Sequence, residues 1–234
     1  MKTFDVVAFD ADDTLWHSED GFRAAEERFC ELLQPFAADG VNVSEALTAM
    51  ERANLALYGY GVKAFGLSMT EAAVNIGQDR VPSSVFAEII DITRDLLLAP
   101  VRLLPDAASV LDTVSRAYKV VLITKGDLIH QSRKVRTSGL DHHFHHIEIV
   151  LEKDRETYRR IIGQLDVGAD RFCMIGNSIR SDVQPVLDEG GHAVHVPYQY
   201  LWELEKVEAV PSGPRFAELD SLKEVPAWLG ITAH

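Results

Sequence analysis

The alternation of apolar and polar positions divides the chain into three stretches with different predicted structure. FDVVAF, residues 4–9, is a short and largely apolar run, which predicts a buried strand. From residue 18 to about residue 99, apolar residues recur three and four positions apart, which predicts helices and no strand. Beyond residue 100, apolar runs and helical segments alternate along the chain.

The last stretch predicts four more strands with helical segments between them. These strands are KVVLIT (119–124), HIEIVLE (146–152), RFCMIG (171–176) and HAVHV (192–196). Such a β-α-β alternation implies a parallel sheet covered by helices on both faces. We therefore expect an α/β fold with a Rossmann-like parallel sheet core at residues 1–17 and 100–234 and an inserted all-helical domain at residues 18–99. The tail from Pro211 onward is expected to be loop-rich, with residues 222–229 packed back on the core.

Composition narrows the class of protein. The formal net charge is −13, which argues against a nucleic-acid partner because phosphate backbones require a basic face. Two cysteines, Cys30 and Cys173, are too few for a disulfide framework or a zinc cage. The first apolar stretch carries several acids, and no window reaches the apolar length of a membrane span, so neither a signal peptide nor a membrane partner is expected. These features predict a soluble, cytoplasmic protein, either a monomer or a homodimer.

The most informative positions are those at which the predicted strands end. The run VVAFDADDTLW, residues 6–16, places three acids within four positions directly after a buried strand. Like charges repel and are costly to desolvate, so a cation is expected to compensate them. In a doubly wound sheet, ligands bind beyond the carboxyl ends of the strands. The residues predicted at that edge are Asp10 and Asp12, Thr124, Lys125 and Gly126, Lys153, and Asn177 with Asp182.

These residue types suit phosphoryl transfer through a covalent carboxyl phosphate. A carboxylate that attacks a phosphate dianion meets strong repulsion, which Mg²⁺ bridging the two would neutralise. A lysine adds positive charge beside the nonbridging oxygens, and a hydroxyl with backbone amides at a helix start completes an oxyanion cradle. A second acid, two residues after the nucleophile, can protonate the leaving oxygen and later deprotonate the attacking water.

The ordered set DADDT, LITKG, Lys153 in LEKD, and GNSIRSD resembles the four motifs of the haloacid dehalogenase-like hydrolase superfamily. The resemblance extends over the whole chain, because the helical insertion after the first motif is similar to that superfamily's helical cap. It implies a Mg²⁺-dependent phosphatase that hydrolyses a small phosphorylated metabolite through an aspartyl-phosphate intermediate. The cap would exclude water from the reacting centre and open to release product.

The resemblance also implies a role for each residue at the sheet edge. Asp10 would be the nucleophile, Asp12 the general acid and base, and Lys153 would steady Asp10 and the phosphoryl oxygens. The implied phosphate-binding residues are Thr124, Lys125 and Gly126. The implied metal ligands are Asp10, Asp12 through its backbone carbonyl, Asn177 and Asp182.

Two positions refine the expected activity. The fourth motif often reads Gly-Asp in the superfamily but reads Gly176–Asn177 here, so weaker metal affinity is expected because an amide oxygen carries no charge. Asp12 favours phosphate monoesters over haloacids, because the true dehalogenases of the superfamily lack an acid at that position.

Within the helical insertion, YGYGVKAF, residues 58–65, is the strongest candidate for substrate recognition. Gly59 and Gly61 break the helix and permit an unusual backbone. Tyr60 and Lys63 offer stacking, hydroxyl and ammonium groups, and we predict that they contact the leaving group of the substrate. Aromatic packing at a helix turn is the alternative interpretation.

The histidine-rich run DHHFHH, residues 141–146, invites a metal-site interpretation. Adjacent residues rarely converge on one ion, so solvated loop histidines around a buried Phe144 are expected instead.

Three other functions use similar residues. A phosphosugar mutase could return the phosphoryl group to a sugar with the same side chains. A catalytically weakened binding or regulatory module is favoured only by Asn177. A receiver-type phosphoacceptor domain also places Asp, Thr and Lys at strand ends, but its acceptor lies on a later strand and it carries no insertion of this length.

Overall fold

The computed structural model of the protein describes residues 4–231. The described parts of Met1–Ser18 and Val101–His234 form one compact unit, and Glu19–Pro100 forms a second. We call these the sheet unit and the helical unit. Among the helices of the described residues, none is both long enough and apolar enough to cross a membrane.

The described residues form nine α-helices. In chain order they are α1 (Glu19–Leu33), α2 (Val43–Tyr58), α3 (Val62–Gly77), α4 (Ser83–Leu98), α5 (Ala107–Ser115), α6 (Leu128–Ser138), α7 (Arg155–Gln164), α8 (Gln184–Asp188) and α9 (Val225–Trp228). The first four make up the helical unit, and the last five belong to the sheet unit.

The helical unit buries one apolar stripe from each of its four helices, as the spacing of apolar residues predicts. Its fully buried side chains include Phe29 and Leu33 of α1, Leu47 of α2 and Met69 of α3. The break between α2 and α3 falls at the predicted glycines, whose φ values are +69° at Gly59 and +104° at Gly61.

The sheet unit is built on six parallel strands. They are β1 (Val6–Phe9), β2 (Lys119–Lys125), β3 (His146–Val150), β4 (Phe172–Gly176), β5 (His192–His195) and β6 (Phe216–Glu218). Their order across the sheet is β3-β2-β1-β4-β5-β6, so β1 pairs with β2 on one side and with β4 on the other. The parallel sheet predicted from the β-α-β alternation is confirmed.

Two details of the sheet differ from the prediction. β6 lies in the tail that was expected to be loop-rich, and its three residues FAE form no apolar run that would have revealed it. β3 ends at Val150, two residues earlier than predicted, and Leu151 is largely exposed. Residues 222–229 pack on the core as expected, through Leu222, Val225 and Leu229.

Helices cover both faces of the sheet because successive residues of a buried strand point to opposite sides. Val7 and Phe9 of β1 share an apolar cluster with α5 and α9. Val6 and Ala8 share a second cluster with α7 and with Val186 of α8. Both faces of β1 are therefore in the core, and its carboxyl end opens at the middle of one sheet edge.

The segment after β4 departs from the predicted simple helix. Residues Ile179–Val183 form a wide π-helical turn, and α8 begins only at Gln184. Ser178 caps this turn by accepting a hydrogen bond from the backbone N–H of Ser181. Such turns are often found at functional sites, and this one carries Asp182.

Candidate active site

The sheet brings the predicted residues together at the carboxyl ends of β1, β2 and β4. Asp10 follows β1 directly, and its backbone N–H donates to the carbonyl of Ile175 on β4 at 2.9 Å. The backbone of Asp10 is thus fixed by the sheet itself. Lys153 reaches the same point from the turn after β3, and Asp182 reaches it from the π-helical turn after β4.

Asp10, Lys153 and Asp182 form a buried charge trio. The ammonium of Lys153 makes ion pairs with both carboxylates, at 2.7 Å to Oδ1 of Asp182 and in close contact with Oδ1 of Asp10. The exposed fractions of the three side chains are 8% for Asp10, 2% for Lys153 and 1% for Asp182. With both carboxylates ionised, one cation faces two anions, which leaves one excess negative charge in the protein interior.

The electrostatics of the trio reflect that excess. The pKa of Asp10 is raised to about 7, chiefly by burial. The positive charge of Lys153 acts to lower this pKa, and the negative charge of Asp182 acts to raise it. Burial would lower the pKa of Lys153, but its two carboxylate partners outweigh burial and raise it. Lys153 is therefore always charged, and a further cation beside Asp10 would stabilise its ionised form.

Asp182 is held in place by Ser178 and by the absence of a side chain at Gly176. The backbone N–H of Ser178 donates to Oδ2 of Asp182 at 3.0 Å. A Cβ at position 176 would lie 2.3 Å from that same oxygen, closer than real Cβ atoms approach. The glycine of the fourth motif is thus required for the carboxylate to lie against β4.

Oxygen ligands suited to Mg²⁺ lie around Thr14. Its hydroxyl donates to Oδ2 of Asp10 at 2.9 Å and lies 3.4 Å from Oδ1 of Asn177. Asp10 and Asn177 therefore present a carboxylate and an amide oxygen to one neighbourhood, and both are hard donors of the kind that Mg²⁺ prefers. Together with the excess negative charge of the trio, this donor set fits a Mg²⁺ that keeps several of its waters.

The four predicted metal ligands are not equally placed for that role. Asp10 and Asp182 each accept hydrogen bonds on both carboxylate oxygens, but only Asp10 shares a partner, Thr14, with Asn177. Within residues 4–231, no set of three or more His, Cys, Asp or Glu side chains is arranged to hold a metal ion. A Mg²⁺ would rely on Asp10, Asn177 and the backbone carbonyl of Asp12, with Asp182 acting through Lys153.

Asp12 has its own set of partners, most of which the sequence did not reveal. Its Oδ1 lies 2.5 Å from Nζ of Lys134 and accepts a hydrogen bond from Nε1 of Trp16 at 2.6 Å. Its Oδ2 accepts from Nε2 of Gln131 at 3.1 Å. Burial alone would raise the pKa of Asp12, but Lys134, Trp16 and Gln131 together lower it. Asp12 is thus a fixed, ionised carboxylate.

Thr124 is the penultimate residue of β2 and is buried. Its hydroxyl oxygen accepts a hydrogen bond from Nε2 of Gln131 at 2.6 Å. Gln131 and Lys134 are three residues apart on α6, the helix that begins directly after the second motif. That spacing puts both side chains on one face of the helix. It is the feature of the sequence that could have pointed to these two residues.

Lys125 has a different environment from the one predicted. Its ammonium contacts Glu205 and donates to Oγ of Ser181 at 2.9 Å. Burial would raise the pKa of Glu205, but Lys125 and the hydroxyls of Ser178 and Ser181 lower it. The charge of Lys125 is therefore largely balanced inside the protein rather than offered to a phosphate.

Gly126 adopts the backbone that only glycine tolerates easily, with φ +132°. Its N–H donates to the carbonyl of Val150 on β3 at 3.3 Å. That amide is engaged in the protein, so a phosphate cradle at this turn would draw on neighbouring amides instead.

Glu205 was not predicted, and its surroundings gave no signal. It lies in a short 3₁₀ turn, Glu203–Glu205, beyond the last predicted strand. Its Oε2 accepts hydrogen bonds from Ser178 at 2.5 Å and from Ser181 at 2.6 Å. The segment after β5 therefore braces the loop that carries Asn177 and Asp182.

Tyr60 and Lys63 belong to the helical unit. Tyr60 is half-buried in the break between α2 and α3, and Lys63 is exposed in the first turn of α3. Neighbouring Tyr58 donates its hydroxyl to Glu71 at 2.6 Å, so this aromatic ring packs within the helical unit. Substrate contact by Tyr60 and Lys63 stays a prediction.

Asp13 and the histidine-rich run make contacts that hold the surrounding backbone in place. Oδ1 of Asp13, which has φ +60°, accepts from the N–H of Ser18 at 2.8 Å and ties down the turn after β1. In the histidine-rich run, Phe144 packs against the core while His146 pairs with Glu148 at 2.7 Å. Phe144 is thus a partly buried anchor of the histidine-rich run, where a buried one was expected.

A family model of haloacid dehalogenase-like hydrolases matches residues 4–186 of the chain. The chain belongs to the haloacid dehalogenase-like hydrolase family. This match contains all four strand-end motifs but ends before Glu205, so the bracing acid lies outside the part that defines the family.

Solved structures agree with this assignment. A haloacid dehalogenase-like family hydrolase from Xanthomonas campestris is 39% identical, with a TM-score of 0.88 over 97% of this chain and 91% of that one. A predicted phosphoglycolate phosphatase from Haemophilus somnus is 16% identical, with a TM-score of 0.66 over 97% of this chain and 99% of that one. A 2-haloacid dehalogenase from Pseudomonas syringae is 20% identical, with a TM-score of 0.61 over 97% and 98% of the two chains. Among curated proteins, no match to the chain was found.

Proposed function

We propose that this hydrolase is a Mg²⁺-dependent phosphatase that acts on small phosphorylated metabolites through an aspartyl-phosphate intermediate. The observation that carries the proposal is the carboxylate of Asp12, two residues after Asp10 and fixed by Lys134, Trp16 and Gln131. A halide leaves as a stable anion and needs no proton, whereas the alkoxide released from a phosphate monoester does. A built acid/base site beside the nucleophile therefore favours phosphate esters over haloacids.

In the first step, a carboxylate oxygen of Asp10 forms a bond to phosphorus while the bond from phosphorus to the leaving oxygen breaks. Lys153 and Thr14 each donate to one oxygen of Asp10, which orients the carboxylate for attack. Asp12, whose pKa is lowered, first takes up a proton from solvent and then delivers that proton to the leaving oxygen. A bound Mg²⁺ would supply positive charge that offsets the repulsion between carboxylate and phosphate.

In the second step, water attacks the phosphorus of the aspartyl phosphate and releases Asp10. Asp12, now ionised, accepts the proton from that water. Its lowered pKa, set by Lys134 and two hydrogen bonds against the effect of burial, fits the base form that this step requires. Lys153 continues to hold Asp10 as negative charge returns to the carboxylate.

The test compares phosphate release with halide release. Purified protein is assayed with p-nitrophenyl phosphate and a panel of metabolite phosphates, in Mg²⁺ and in EDTA, and in parallel with 2-chloropropionate. Asp10→Asn is the inactive variant, and Asp79→Asn on an exposed turn of the helical unit is its matched control. Metal-dependent phosphate release that Asp10→Asn abolishes supports the proposal. Chloride release without phosphate release overturns it in favour of a dehalogenase.

A further inference from the structure

We infer that Gln131 is a positioning residue that turns the hydroxyl of Thr124 into a hydrogen-bond donor for a phosphoryl oxygen. The inference deepens the proposed function and rests on it, because it concerns how the same site holds the transferred group. Gln131 lies on α6, outside the four strand-end motifs, and its residue is 2% exposed.

The amide of Gln131 has only one orientation that satisfies its neighbours. Its Nε2 lies 3.1 Å from Oδ2 of Asp12 and 3.2 Å from the backbone carbonyl of Lys125. A carboxylate and a carbonyl can only accept hydrogen bonds, so the NH₂ end of the amide must face them. The side-chain carbonyl of Gln131 would be repelled at the same place.

The orientation of the amide fixes the role of Thr124. The same Nε2 lies 2.6 Å from Oγ1 of Thr124, so the threonine oxygen accepts a hydrogen bond from Gln131. With that lone pair used, the hydroxyl proton must point to another acceptor. Within residues 4–231, the Thr124 hydroxyl donates to no protein acceptor, although the residue is only 1% exposed.

A buried hydroxyl proton without an acceptor is costly, which makes it a ready donor for an incoming anion. A phosphoryl oxygen is an acceptor without a proton to give, so it matches a hydroxyl that is fixed as a donor. If Gln131 is replaced by an apolar residue, the hydroxyl regains its freedom to rotate and loses this preorganisation.

The experiment is a double-mutant cycle between Gln131→Met and Thr124→Val. Gln131→Met is expected to lower kcat about 10- to 100-fold, the range below that of losing an oxyanion donor outright. Orthovanadate, a phosphoryl mimic, should stabilise the folded protein by binding to the site. Gln131→Met should lower the apparent affinity for orthovanadate, read from that stabilisation, by a similar factor. With p-nitrophenyl phosphate, the same substitution in the Thr124→Val background should lower kcat about threefold or less, because the hydroxyl through which Gln131 acts is already absent.

Two further measurements separate this role from a structural one. The loss on Gln131→Met should be present with p-nitrophenyl phosphate, whose leaving group needs little help from a proton, because the phosphoryl group is affected. Any additional loss with an alkyl phosphate reports the hydrogen bond from Gln131 to Asp12. Gln131→Leu repeats the test if the methionine variant fails to fold, and Gln164→Met at the exposed end of α7 is the matched control.

The inference is overturned if Gln131→Met lowers kcat equally in the wild-type and Thr124→Val backgrounds. It is also overturned if Gln131→Met leaves turnover unchanged. A loss confined to alkyl phosphates also overturns it, because Gln131 would then act through Asp12. If wild-type protein binds orthovanadate but hydrolyses no monoester, the proposed function fails separately. Gln131 is then judged from orthovanadate affinity across the same cycle.

Discussion

Gly176 and Asp182 are in such close contact that a Cβ on the glycine would lie 2.3 Å from Cγ of the aspartate. Any side chain at position 176 must therefore push the Asp182 carboxylate away from β4 and from Lys153. The smallest possible substitution at this position is thus a direct probe of how tightly the charge trio must be placed.

Gly176→Ala is expected to lower kcat/KM roughly 10²-fold, because displacement by about 1 Å has effects of that size. The assay is steady-state phosphate release under saturating Mg²⁺. Gly163→Ala on α7 is the matched control, since a Cβ there meets nothing within 4 Å. Equal activity of the two variants would show that Asp182 has room to adjust.

Because the trio carries excess negative charge, replacing its cation and replacing one of its anions should affect the free energy of unfolding differently. Lys153→Met leaves two carboxylates unpaired and should lower the free energy of unfolding by about 3–5 kcal/mol. Asp10→Asn removes the excess charge, so it should abolish turnover without lowering stability in EDTA. All three tryptophans, Trp16, Trp202 and Trp228, lie in the sheet unit, so their fluorescence during urea denaturation reports its unfolding. Equal destabilisation by both substitutions would contradict the charge balance.

Asn177→Asp is expected to raise the affinity for Mg²⁺ by roughly tenfold, because an ionised oxygen replaces a neutral amide oxygen beside Asp10. The measurement is a Mg²⁺ titration followed by thermal denaturation, so that binding is seen apart from activity. Unchanged affinity would mean that Asn177 does not contact the metal. Asn42→Asp, at the exposed N-terminus of α2, serves as the control for added charge.

Lys134→Met should impair substrates with poor leaving groups more than those with good ones. Without the ammonium 2.5 Å away, Asp12 loses its fixed position and its ability to exchange a proton with the leaving oxygen suffers. We expect a loss of about 10²-fold with alkyl phosphates and a much smaller loss with p-nitrophenyl phosphate. Exposed Lys223→Met is the control. Equal losses on both substrates would argue for a role in substrate binding instead.

His130 predicts a pH dependence of stability. Burial and the nearby charge of Lys134 lower its pKa from 6.5 to about 4, so in the folded protein it stays neutral where the unfolded chain takes up a proton. Stability is therefore complete above pH 6.5 and falls toward pH 4, by at most about 3 kcal/mol from this residue. His130→Gln should flatten that part of the curve measured by urea denaturation, whereas exposed His142→Gln should not.

The sequence predicted the sheet well because its central strands are buried on both faces. Continuous apolar runs such as VVLI in β2 and CMI in β4 predict strands whose two faces are both buried. Once the strands are parallel, their carboxyl ends must share an edge, and the contact of Asp10 with Lys153 follows from that rule. β6 was not predicted, because an edge strand of three residues needs no apolar pattern.

The residues around the motifs were harder to predict, for a physical reason. Gln131 and Lys134 lie on one face of α6, but the sequence does not say which face of an amphipathic helix turns toward Asp12. Glu205 lies in an irregular segment whose path depends on tertiary contacts alone. The strand ends thus specify the chemistry, while the groups that orient it depend on how helices and loops pack.

Glu205 also determines how much of this chain could be transplanted as a working catalytic module. A fragment cut after β5 would carry every residue of the four motifs, yet Lys125, Ser178 and Ser181 would lose the acceptor that they share. An engineer who defines the module by its motifs would stop too early. The minimal portable unit extends at least to Glu205, nineteen positions beyond the end of the family match at residue 186.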